Sequence, residues 1–182
     1  MSLRDTNTMY GMVSRLNHWI GALFVLLLLG IGLAFDLLPR GDLLRYFKRL
    51  HIAIGTIGIA FLLFRVYWRL HTASPLPLAQ APAMQRLASF VHRALLAGIV
   101  IMVVTGPLSI WSIGRPFGVF EMLKIPSPFP LFKSWHEPLE QIHGWTAYVM
   151  LGLIALHVGA VLKHQFIDRD GLLARMTGRV PK

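Results

Sequence analysis

The chain has 182 residues, 55% hydrophobic and only 14% charged, with a mean hydropathy of +0.59. Soluble domains carry about 25% charged residues, so this deficit points to a chain solvated by lipid. The lack of cysteine excludes disulfides, covalent c-type haem attachment, iron–sulfur clusters and thiolate zinc sites; the formal charge of +10 reads as basic loops flanking membrane helices, not as nucleic-acid binding.

A membrane helix needs about 20 mostly apolar residues, and four stretches qualify. Residues 16–35 form the first expected span, ended by Leu38-Pro39-Arg40-Gly41-Asp42. Before it, Thr6 to Leu16 is mixed and polar, and no small-residue cleavage site follows the span, so a cleaved signal is not expected. Residues 50–68 form the second span, closed by Ser74-Pro75-Leu76-Pro77 and Ala81-Pro82. Residues 90–113 form the third, stopped at Gly114-Arg115-Pro116. Pro126, Pro128 and Pro130 hold the next loop extended, because proline lacks an N–H and restricts its neighbour. Residues 142–162 form the fourth span. The length suits one domain over 1–182, without internal repeat. The expected fold is all-α, an integral membrane four-helix bundle.

Four spans place both termini on one side, and Lys/Arg distribution decides which. The terminal regions and middle loop hold Arg4, Arg15, Arg65, Arg69, Arg86, Arg93, Lys163, Arg169, Arg175, Arg179 and Lys182, eleven in all. The other two loops hold seven: Arg40, Arg45, Lys48, Arg49, Arg115, Lys124 and Lys133. Both termini are therefore expected in the cytoplasm.

Histidines carry the chemistry. Ionisable residues inside a membrane are costly and normally face the bundle interior. His157 has no polar neighbour in Leu151-Gly152-Leu153-Ile154-Ala155-Leu156-His157-Val158. His143 precedes it by 14 residues, nearly four turns, so both rings leave one helix face about 21 Å apart. Antiparallel spans then match His18 with His157 at the inner level and His51 with His143 at the outer level. Two such pairs suit axial ligation of two b haems. A single helix–helix hydrogen bond is the plainer reading of any one of them. A four-histidine zinc or iron site would need all four rings together, and the pairs lie too far apart along the axis.

Haem propionates favour arginine, whose planar fork binds carboxylate bidentately. Arg65, 14 residues after His51, Arg15, just before His18, and Arg115, at the outer end of the third span, are the candidates; snorkelling to headgroups is the alternative for each. Gly55 and Gly58 either admit a porphyrin or pack helices. His71 reads as solvated, and His136 as a loop histidine near the outer haem edge. His92 and His164 share the inner surface, which suggests a quinone headgroup pocket beside the inner haem, with Lys163 and Arg93 adjacent.

Ser14-Arg15-Leu16-Asn17-His18-Trp19, Leu50-His51-Ile52-Ala53-Ile54-Gly55, Gly114-Arg115-Pro116 and Leu156-His157-Val158, followed by Leu162-Lys163-His164-Gln165-Phe166-Ile167-Asp168-Arg169-Asp170-Gly171, resemble the bacterial cytochrome b561 family over essentially the whole chain. The resemblance implies a di-haem bundle with ligands at His18, His51, His143 and His157. Members include a superoxide oxidase that reduces ubiquinone. Gln165 departs from relatives that carry a second histidine there.

Two functional readings follow. One is a superoxide:ubiquinone oxidoreductase, a small anion being drawn to the basic outer loops. The other is a haem-bearing anchor subunit that links a hydrogenase- or dehydrogenase-type partner to quinone in a respiratory chain. A non-redox scaffold would purify colourless.

Overall fold

In a computed structural model, residues 2–72, 75–76, 80–120 and 122–178 are described. Four long helices dominate: α1 (Met12–Leu33), α2 (Asp42–His71), α3 (Pro82–Ser112) and α4 (His136–Lys163). Each is long and apolar enough to cross a membrane. They overrun the expected spans, because a helix can continue into the headgroup layer with polar residues.

Local chemistry starts and stops them. Asp5 accepts hydrogen bonds from the Gly11 N–H (2.7 Å) and the Ser14 hydroxyl (3.0 Å), placing a carboxylate at the start of α1. Pro39 and Gly41 separate α1 from α2, where Asp42 in the first turn pairs with Arg45. Pro82 opens α3, a position where the missing N–H costs nothing. Pro107 lies inside α3 and deprives the Val103 carbonyl of its helical donor. A π-helical turn (His164–Asp168) ends α4, Arg169 and Gly171 adopt left-handed backbone, and a short α5 (Leu172–Thr177) follows. The Trp19 indole donates to the Met176 carbonyl at 3.1 Å, which ties α5 to α1.

The chain also contains a β-hairpin that the sequence reading left as loop. Strands β1 (Phe117–Val119) and β2 (Leu123–Ile125) pair antiparallel, Gly118 opposite Lys124. A Cβ at Gly118 would run into the Leu123 carbonyl, so this closely paired position requires glycine. The hairpin packs on α2, and the Thr56 hydroxyl lies 3.2 Å from the Gly118 carbonyl.

Backbones approach closely between α1 and α2 and between α3 and α4. At mid-height each helix contributes one buried side chain to a shared apolar layer: Leu29, Leu62, Ile99 and Met150. Met150 lies seven residues from both His143 and His157, so this layer separates two histidine levels. Gly98 lets α3 close on the Met150 thioether, since a Cβ there would strike its sulfur. Few other span residues are buried, as lipid solvation allows.

Candidate functional site

The antiparallel helices bring four histidines into two pairs. At the end carrying both termini, the terminal end, the rings of His18 (α1) and His157 (α4) have centroids 6.2 Å apart. At the distal end, His51 (α2) and His143 (α4) are also 6.2 Å apart. Metal–imidazole bonds are about 2 Å; with a ring radius near 1 Å, two imidazoles on one metal have centroids about 6 Å apart. Both pairs therefore have the spacing of axial ligands on a shared ion.

The distal pair borders a cavity of about 580 Å³, within the range of small-molecule and cofactor sites. Its walls are mostly aliphatic, including Val25, Leu28, Ile52 and Ile99. Two glycines make room for the rings. A Cβ at Gly32 would lie 3.4 Å from His51, and one at Gly106 would lie 3.3 Å from His143. Gly106 and Pro107 both line the cavity, as does Phe117 of the hairpin.

Thr105 orients His143. Its hydroxyl donates to the Ile101 carbonyl at 2.7 Å, and the same oxygen lies 3.0 Å from His143 Nδ1. With its only proton committed, the hydroxyl must accept from Nδ1–H. Nε2 is then the bare nitrogen, which is the tautomer a metal requires. Apolar walls, glycine clearance and an oriented imidazole together fit a haem at the distal level.

At the terminal level the arrangement is more polar. Arg65 donates from Nη1 to the Asn17 carbonyl (3.0 Å), and its Nη2 lies 3.2 Å from His18 Nδ1. The His92 ring stands edge-on to His157 at 5.3 Å. The Trp68 indole donates to the Ser14 hydroxyl at 2.8 Å and pins α2 to α1 beside this pair.

The remaining candidates fall as follows. Arg115 is exposed beyond α3 and lies outside the cavity lining; Lys48, one turn before His51, lines it instead with Asp36 and Glu140. Arg15 lies against Gly178, which follows α5. Gly55 lines the cavity, whereas Gly58 packs against Phe24, as ordinary helix packing requires. His136 is engaged with the Ser109 carbonyl at 2.9 Å and the Ser112 hydroxyl at 3.2 Å, joining α4 to α3. His71 is exposed and bonds its own helix at the Tyr67 carbonyl. His164 contacts Asp170 (2.5 Å) and Asp168 (3.3 Å), and Lys163 also reaches Asp168. Among the described residues no hydrogen bond or ring contact joins His164 to His92. Sequence reasoning missed Thr105, Gly32 and Gly106, and counted Lys48 only among the basic outer-loop residues. Of these, the Gly106-Pro107 step was visible as an interruption of an apolar helix.

A mostly helical protein with four membrane-length helices and histidines paired across its interior defines a multi-pass membrane protein built for a metal-bearing prosthetic group. Residues 9–179 match the family model of prokaryotic cytochrome b561. The chain is 32% identical to cytochrome b561 homolog 2 of Escherichia coli (strain K12), covering 98% of this chain and 96% of that protein. The chain belongs to the prokaryotic cytochrome b561 family. It is accordingly a membrane haem protein, with haem b as cofactor and electron transfer as its class of activity.

Proposed function

We propose that the chain holds two b haems, one between His51 and His143 and one between His18 and His157, and passes electrons between a donor at the distal end and membrane quinone at the terminal end. The observation that carries this reading is the equal 6.2 Å ring separation in two pairs at two depths. Bound haem supplies one-electron exchange at iron. The protein's own groups do the rest. Thr105 holds the His143 proton on Nδ1, Gly32 and Gly106 leave the rings room, and the layer of Leu29, Leu62, Ile99 and Met150 keeps water out between the levels.

The Lys/Arg distribution supports cytoplasmic termini in the bacterial inner membrane, which makes the distal end periplasmic. Basic residues there, among them Arg40, Arg45, Lys48 and Arg49, favour a small anionic donor such as superoxide. At the terminal end His164 is the proton-exchanging group for ubiquinone. Its Nδ1–H donates to Asp170, and the doubly protonated ring would present Nε2–H to a quinone carbonyl. His92, beside His157, is the second polar group at that level. Among earlier candidates, Arg65 stays closest to a haem-bearing pair, and Lys48 replaces Arg115 as the propionate partner at the distal level.

Purification with a haem-to-chain ratio tests the reading. Two haems per chain are expected, and one each in His143→Ala and His157→Ala. A wild-type ratio of one or less rules out the double pairing. Quinone reduction lost in His164→Ala with both haem spectra intact supports the acceptor site; unchanged turnover there and in His92→Ala moves quinone elsewhere.

A further inference from the structure

We infer that the β-hairpin is part of the distal cofactor site. It closes the pocket between α2 and α3, with Phe117 as a wall residue and Gly118 as the position that keeps Phe117 in place. This rests on the reading of a haem between His51 and His143.

The hairpin is fastened to the bundle on both sides. Phe117 lines the cavity that His51 and His143 border, and it is 7% exposed. Its ring meets the Trp111 indole edge-on, with centroids 5.0 Å apart. The same indole donates to the Ile125 carbonyl at 3.1 Å, which ties β2 to the end of α3. On the other side β1 packs along α2. There the Thr56 hydroxyl lies 2.8 Å from the Ile52 carbonyl and 3.2 Å from the Gly118 carbonyl, so its one proton serves two acceptors. At the turn, Phe120 adopts left-handed backbone and the Arg49 guanidinium stands 5.7 Å over its ring.

Depth gives these contacts their meaning. Thr56 follows His51 by five residues, about 7.5 Å along α2. Strand backbone therefore reaches past the outer histidine into the apolar part of a membrane-length helix. Lipid offers free N–H and C=O groups no partner, so non-helical backbone at such depth must be buried in protein or line a cavity. Phe117 and Gly118 are both buried, β1 pairs with β2, and Phe117 reaches the cavity wall. A segment that only connected α3 to α4 could stay among the headgroups. Gly118 fixes the placement: a Cβ there would strike the Leu123 carbonyl and push the strands apart. Gly118 is not itself a lining residue of the cavity, so a change there reaches the pocket only by moving Phe117.

Haem transfer from the purified holoprotein to apomyoglobin, at a temperature where the helices stay folded, tests this. The spectrum of His143→Ala, which keeps only the terminal haem, identifies the distal component. Phe117→Ala should speed distal transfer by about tenfold or more, because truncating a buried phenylalanine removes more contact energy than that ratio requires. Phe117→Leu, which keeps apolar bulk, should recover most of the loss. Gly118→Ala should match Phe117→Ala, although its added methyl lies outside the pocket. Met122→Ala, at the exposed tip of the hairpin, should transfer haem as wild type does. The terminal haem should leave at the wild-type rate in all four. Should a variant lose its distal haem during purification, haem titration of the stripped protein gives the same comparison as affinities. Wild-type distal transfer in Phe117→Ala or Gly118→Ala would overturn the role. Equal acceleration of both haems, or of the distal haem in Met122→Ala, would overturn it too, since either marks general loosening. A wild-type protein without a distal haem refutes the underlying reading instead, before any variant is made.

Discussion

The hydroxyl of Thr105 and Nδ1 of His143 lie 3.0 Å apart, joining α3 to α4 at the wall of the distal cavity. Because the hydroxyl proton already goes to Ile101, this contact dictates which imidazole nitrogen is free. Removing such an orienting partner typically costs 10–100-fold in metal affinity. If His51 and His143 hold a haem as proposed, Thr105→Val should therefore weaken distal haem retention by about tenfold or more, and Thr105→Ser should restore it. Haem titration of the stripped protein measures both; equal retention in the valine variant removes Thr105 from the site.

Gly106 and Gly152 sit on facing helices with opposite surroundings. A Cβ at Gly106 would press on the His143 ring, whereas one at Gly152 meets nothing within 4 Å. Gly106→Val should reduce occupancy of the distal haem, while Gly152→Val should leave the haem-to-chain ratio unchanged. Equal ratios in the two variants would show that ring clearance is unimportant.

Met150 fills the middle of the bundle at 3% exposure. Lipid supplies little hydrophobic force between helices, so its contribution is contact and cavity filling. Met150→Ala should destabilise the protein by about 2 kcal/mol, read from thermal unfolding in detergent. On the two-haem reading proposed above, both haems should stay bound at low temperature, because the residue lies between the histidine levels. Loss of haem without loss of stability would contradict that placement.

A reporter fused after Lys182 should be active only as a cytoplasmic fusion, given eleven basic residues against seven. Activity from a periplasm-dependent reporter would exchange the two ends and invert the proposed direction of electron flow relative to the cell.

The sequence by itself determined the four spans, because lipid demands about 20 apolar residues per crossing and the intervening Pro and Gly clusters cannot continue a helix. It also determined which histidines could share a depth: a helix rises 1.5 Å per residue, and antiparallel spans leave one matching for His18, His51, His143 and His157. Lateral detail was not legible in that way. Thr105 and His143 are 38 positions apart, Arg65 and His18 are 47 apart, and each contact depends on how the helices are rotated about their axes. In water, a polar outer face would reveal that rotation. Here the lipid-facing and core-facing sides are both apolar, so the pattern does not distinguish them. Only the tertiary structure could decide that Lys48 and not Arg115 lines the distal cavity, and that Pro-rich loop residues leave room for a hairpin whose Phe117 reaches that wall. It likewise decided that Arg65 turns inward, because the space over Gly21 exists only once α1 and α2 have packed.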